Sequence, residues 1–177
     1  DIQSGAYAYE YLMDEEVVTD PYTKAFTKEN KSQVLIPEYD WEDDRYPAYA
    51  YKDVIAYSLH VRGFTQDSYS KVAHRGTFEG VIEKLPYLKD LGINQIQCMP
   101  VYSFLEGKRK PNYWGYGPGY FFAPKNSYSA ISDGVRSLKN MVKACHEAEI
   151  EVVLEMPFCP ETPIYQVLDC LRYYRQE

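Results

Sequence analysis

The chain has 177 residues and a net charge of −7, from 19 Lys+Arg against 26 Asp+Glu, about one domain or one domain with an attachment. The acid excess disfavours nucleic acid as a partner, and the short basic patch Lys108-Arg109-Lys110 does not reverse it. No apolar run nears the roughly 18 residues of a membrane span, and Asp1 to Glu10 lacks the basic start and apolar core of a signal peptide.

The first 50 residues read as the tail of something larger. Tyr7, Tyr9 and Tyr11 alternate, placing three aromatics on one strand face. Asp14-Glu15-Glu16 is a polar turn, Val17-Val18-Thr19 a short return strand, and Asp20-Pro21 a stop. Pro37 through Pro47, with Asp40-Trp41-Glu42-Asp43-Asp44 between them, has linker composition. A hairpin this small is marginal in water unless more sheet joins it.

From residue 51 the pattern changes. Val54 to Val61 is an apolar run of strand length. Phe78, Val81, Ile82, Leu85, Leu88 and Leu91 then recur at helical spacing. Gly92 ends that helix, and Pro86 should kink or shorten it. Ile93 to Val101 is a second strand. Tyr102 to Ser129 is a long polar, aromatic and Gly-rich stretch. Val135, Leu138, Met141, Val142 and Cys145 make a second helical stripe. Ile150 to Met156 is a third strand, and Ile164, Val167, Leu168, Leu171 and Tyr174 a third helix.

This alternation predicts parallel α/β structure, with apolar strands covered on both faces. A doubly wound nucleotide-binding fold would need a glycine fingerprint after its first strand; Arg62-Gly63-Phe64-Thr65-Gln66-Asp67 is not one. A (β/α)8 barrel, with function on the loops after its strands, suits the long insertion after the second strand better.

Several motifs in the right order carry a family resemblance over nearly the whole chain. Val54-Ile55-Ala56-Tyr57-Ser58-Leu59-His60-Val61-Arg62-Gly63-Phe64-Thr65 resembles the first barrel strand of the α-amylase superfamily (glycoside hydrolase family 13), in its pullulanase, isoamylase and glycogen-debranching branch. Gly76-Thr77-Phe78-Glu79-Gly80 and Leu85 to Ile93 are similar to that branch's first helix, and Met99-Pro100-Val101 to the close of its second strand. Asn112-Tyr113-Trp114-Gly115-Tyr116 and Phe121-Phe122-Ala123-Pro124 resemble its most characteristic loop, and Val18 to Ala25 the seam after its N-terminal β-sandwich. The fold implied is the first three βα units of a (β/α)8 barrel over residues 51–177, preceded by a β-sandwich tail and linker over 1–50.

The activity implied is retaining cleavage of α-glucosidic bonds in glycogen, starch or pullulan, for this branch the 1,6 branch points; the cytoplasmic setting expected follows instead from reading the four cysteines as reduced thiols. Such chemistry needs two carboxyl groups about 5–5.5 Å apart. In the family these, with a third acidic residue, come from the fourth, fifth and seventh strands, so the resemblance implies no catalytic residue here and an inactive chain on its own. Asp53, Asp133 and Glu155 are not substitutes. At the end of the third strand the family carries an Asn-His pair that helps hold the sugar; Cys159 and Pro160 stand there instead. Gly117 also replaces the usual Asn or Asp after Tyr116. The departures leave an alternative, a non-catalytic α-glucan-binding protein of the same ancestry.

The candidate sugar-binding residues are Tyr116 and Trp114, with Tyr113, Asn112 and Glu155. An aromatic ring can cover the C–H face of a glucose while polar groups fix its hydroxyls; equally, these rings can pack the loop against the barrel rim. Glu155 matches the family's strand-three Asp with one more methylene. His60 reads as a structural histidine inside the first strand. The cysteines at 98, 145, 159 and 170 lack zinc-finger spacing and read as reduced thiols. No cofactor and no metal is expected. An incomplete barrel would expose strand edges through which the chain could self-associate.

Overall fold

The computed structural model describes residues 7–36, 38–107 and 111–176; the patch Lys108-Arg109-Lys110, Pro37 and Asp1 to Ala6 lie outside the described residues. In chain order its elements are strands β1 (Ala8–Tyr9), β2 (Tyr11–Met13), β3 (Glu16–Val18), β4 (Ser32–Gln33) and β5 (Ala56–Leu59), then helices α1 (Val61–Thr65), α2 (Phe78–Glu83) and α3 (Leu85–Asp90). Strands β6 (Gln95–Cys98), β7 (Tyr102–Phe104) and β8 (Gly119–Pro124), helix α4 (Gly134–Glu147), strand β9 (Glu151–Leu154) and helix α5 (Ile164–Gln176) complete the chain. They group into two compact units. One comprises Tyr39–Val101 and Asn126–Glu155, the other Asp1–Glu38, Tyr102–Lys125 and Met156–Glu177.

The unit built from Tyr39–Val101 and Asn126–Glu155 holds a parallel sheet in the order β5-β6-β9. Helix α4 packs on β9 and on α2. Its stripe sends Leu138, Met141 and Cys145 into a core shared with Phe78, Val81, Leu88, Ile96, Cys98 and Ile150. Asp133 starts α4 by accepting from the Arg136 N–H at 2.9 Å, a side-chain N-cap.

The interruption expected at Pro86 divides the Phe78 to Leu91 stripe into two helices that meet at Lys84, because Pro86 fits the first turn of a helix but not its interior. Two expectations change here. The strand expected over Val54 to Val61 keeps only Ala56–Leu59. His60 leaves it to cap α1, its Nδ1 accepting from the Gly63 N–H at 2.9 Å. The sheet is also not apolar on both faces. Ile96 and Cys98 point into the core, while Gln95 and Gln97 point the other way and donate to Glu151 Oε2 at 2.7 Å and Glu155 Oε1 at 2.8 Å.

In the other unit, β2 and β3 form the expected hairpin across a turn with positive φ at Asp14 and Glu15. Strand β1 pairs antiparallel with β4, and Tyr9 donates to Asp20 Oδ2 at 2.5 Å, fixing the Asp20-Pro21 seam. The stretch expected to be structureless after the second strand contains the antiparallel pair β7–β8. Buried aromatics rather than a polar/apolar alternation organise that pair, which is why no period showed it. Tyr102 and Phe121 rings lie 4.8 Å apart, Tyr22 stacks on Phe122 at 4.8 Å, and the Tyr174 hydroxyl on α5 donates to the Phe121 carbonyl at 3.0 Å.

Candidate functional site

The aromatic loop joins β7 to β8. Lys125, the residue after β8, is buried; its ammonium donates to the Phe104 carbonyl at 3.0 Å and sits 3.9 Å from that ring's centroid. It also pairs with Glu106 at 3.3 Å, tethering the first residues of the loop. Asn112 then closes a tight turn. Its Oδ1 accepts from the Gly115 N–H at 3.0 Å, and its Nδ2 donates to the Tyr116 carbonyl at 3.0 Å. The amide proposed from sequence for sugar contact is thus engaged with the loop's own backbone.

The glycines of the loop are required by space and by dihedral angle. Gly115 has φ +89°, and a Cβ there would stand 2.5 Å from the Phe104 ring. Gly117 has φ +132°, a conformation that L side chains rarely adopt. Tyr102, fully buried on β7, brings its hydroxyl within 2.8 Å of both the Gly115 and the Gly117 carbonyls. Burial pushes its pKa up to about 12, so the phenol stays a donor.

On this base the rings stand outward. Trp114 is 54% exposed, Tyr116 47% and Tyr113 39%, with the Tyr113 and Trp114 rings edge to face at 5.3 Å. Four of the five candidates, Asn112, Tyr113, Trp114 and Tyr116, therefore share one loop. Glu155 belongs to the other unit, just past β9, half-buried and bonded to Gln97. Tyr102, Phe104 and Lys125 were not singled out from sequence. Nothing local showed that the Tyr102 hydroxyl would reach a carbonyl 13 residues ahead.

His60 is buried, with Nε2 3.0 Å from the Tyr128 hydroxyl, and serves structure as expected. The cysteines are free thiols, and burial pushes Cys145 and Cys170 up to about 12. Among the described residues, no group of three His, Cys, Asp or Glu could hold a metal ion, and no helix is long and apolar enough to cross a membrane.

Residues 21–158 match the Alpha-amylase family, described as the alpha amylase catalytic domain. The chain belongs to that family. Within it, the chain is 34% identical to isoamylase 1, chloroplastic, of Arabidopsis thaliana, over 82% of this chain and 23% of the relative. It is 33% identical to the glycogen operon protein GlgX homolog of Haemophilus influenzae, over 84% of this chain and 28% of the relative. Among solved structures it is similar to a Paenibacillus barengoltzii pullulanase complexed with maltohexaose and alpha-cyclodextrin. That likeness has a TM-score of 0.68 and 26% identity, over 78% of this chain and 26% of that one. The family members it matches are thus of the debranching kind, and the chain spans about a quarter of their length.

Proposed function

We propose that this chain supplies the opening three βα units of a (β/α)8 barrel, residues 51–177, with residues 1–50 as the end of a β-sandwich and a linker. In this reading it is part of a debranching-type glycosidase acting on the α-glucosidic bonds, chiefly α-1,6, of glycogen, starch or pullulan. It contributes a sugar platform and no catalytic carboxylate, so alone it does not hydrolyse glucan. The observation that carries the reading is the clamped loop that holds Tyr113, Trp114 and Tyr116 outward in a member of the α-amylase family. The relative's structure with maltohexaose supports an α-glucan as the ligand. A cytoplasmic location belongs to the same proposal, supported by four free thiols.

The alternative, a glucan-binding protein without hydrolysis, is favoured by Cys159 and Pro160, which offer neither amide nor imidazole to a sugar hydroxyl. One experiment tests the shared core of both readings. Calorimetry should show maltohexaose binding to the chain and its loss in a Trp114→Ala, Tyr116→Ala double variant. A reducing-sugar assay on pullulan and glycogen should show no turnover above a heat-killed control. Absent binding would sink the glucan reading, and turnover that survives purification from host amylases would sink the assignment of the catalytic groups elsewhere.

A further inference from the structure

We infer that Tyr102 is a positioning residue for glucan binding: its buried hydroxyl holds the backbone on both sides of Tyr116 and so sets where the exposed rings stand. The inference rests on the reading of the aromatic loop as a sugar platform and adds the group that presets it.

Four contacts converge on one short segment. The Tyr102 hydroxyl faces the carbonyls of Gly115 and Gly117 at 2.8 Å each, and its single proton is shared between them. Asn112 takes the Gly115 N–H and gives its amide to the carbonyl of Tyr116 between them. The carbonyls of residues 115, 116 and 117 are thereby all held, on a backbone that Gly115 lets lie directly on the Phe104 ring. Gly119, where β8 begins, fits equally closely: a Cβ there would stand 2.6 Å from the Tyr102 ring. The Tyr102 side chain is therefore enclosed below while its hydroxyl points up into the loop.

A loop built on two positive-φ glycines has many alternative conformations in the absence of such ties. Each conformer that turns the rings away from the platform is incompetent to bind, and apparent affinity falls in proportion to the competent fraction. The hydroxyl, not the ring, is the element in question, since the ring belongs to the core with Phe121.

Tyr102→Phe isolates it. The substitution keeps the enclosed ring and removes only the donor. In the full chain, maltohexaose Kd by calorimetry should rise roughly fivefold, the weight of one lost hydrogen bond in the preset state. A Trp41→Phe background leaves Trp114 as the sole tryptophan. There, acrylamide quenching of the ligand-free protein should increase with Tyr102→Phe, and bound maltohexaose should restore the protection. A structural role alone would lower the unfolding midpoint and leave both readouts unchanged at temperatures well below it. Unchanged Kd and unchanged quenching, with wild-type binding lost in the Trp114→Ala, Tyr116→Ala control, overturn the positioning role and spare the platform. Failure of the wild-type chain to bind, or a control variant that binds as well as wild type, overturns the platform and the positioning role with it.

Discussion

His60 makes a sharp test of how the first parallel strand is terminated. Its Nδ1 accepts from the Gly63 N–H at 2.9 Å, so that nitrogen carries no proton and the ring's N–H is on Nε2. Nε2 lies 3.0 Å from the hydroxyl of Tyr128, so the imidazole donates there. Both residues are buried. His60→Ala removes an N-cap, at about 1 kcal/mol, and takes this partner from a buried hydroxyl, at about 1–3 kcal/mol. The sum is about 2–4 kcal/mol, or a fall in midpoint of roughly 4–16 °C for a chain of this size. Tyr128→Phe removes the hydroxyl alone, because the ring keeps its packing on Phe78 and its position under the Arg62 guanidinium, 5.3 Å away. Urea unfolding of wild type, both single variants and the double variant yields the coupling energy, expected at about 0.5–1.5 kcal/mol. Additivity within about 0.3 kcal/mol would show that the two side chains act independently, refuting the bond as the reason His60 stands there.

The remaining predictions concern acid and assembly. Burial pushes Glu79 up, but hydrogen bonds from the Ser137 hydroxyl and the Ala130 N–H outweigh it, and its pKa is lowered from the ordinary 4.5. A lowered carboxylate stabilises the fold above its unfolded pKa, and this contribution is lost as pH falls through the folded value. Glu79→Gln should therefore lower the midpoint near neutrality and flatten its dependence below pH 4.5; parallel wild-type and variant curves would contradict this. Strands β5 and β9 leave the outer edges of their sheet unpaired among the described residues, and α5 exposes Ile164, Leu168 and Leu171 along one face. We expect the isolated chain to self-associate in light scattering, and a monodisperse monomer with a cooperative melt would count against it.

How much of this was legible in the sequence differs by residue and for physical reasons. Helix α4 was plain, because five apolar residues at helical spacing report one buried face without any knowledge of what covers it. The break at Pro86 was also local, since a missing N–H and a fixed φ act within one turn. The β7–β8 pair was not visible: its strands are buried aromatics joined across a loop, and partner and period were both nonlocal. The polar face of the parallel sheet was missed for the same reason. Gln95 and Glu151 lie 56 residues apart, and an isolated Gln in an apolar run says nothing about its carboxylate. Of the site, Asn112, Tyr113, Trp114 and Tyr116 are neighbours in sequence and share one loop, while the Asn112 amide is bonded to that loop's backbone. A side chain with equal chemistry for sugar and for backbone gives no sign in sequence of which it will meet.

The acidic, proline-punctuated segment before the first parallel strand shows how such ambiguity resolves. By composition it is a linker, and between residues 39 and 50 it forms neither helix nor strand. Yet Lys139, Lys143 and His146 recur on α4 at intervals of four and three, a polar stripe on one helix face. The segment meets that stripe residue by residue. Lys139 lies over the rings of Tyr39 and Trp41 at 5.5 and 5.9 Å, Lys143 pairs with Glu42 at 3.1 Å, and His146 bonds Asp44 at 2.7 Å. Exposed ion pairs contribute little individually, but the His146–Asp44 contact is nearly buried, each side chain 11% exposed. Beyond it the Tyr49 N–H donates to Glu151 Oε1 at 2.8 Å, while the other oxygen of that carboxylate takes Gln95. Glu151 therefore joins the segment to the middle of the sheet just before β5 begins. A segment of linker composition thus packs in order along a complementary helix face roughly 100 residues away in the chain, a match that its own composition does not report.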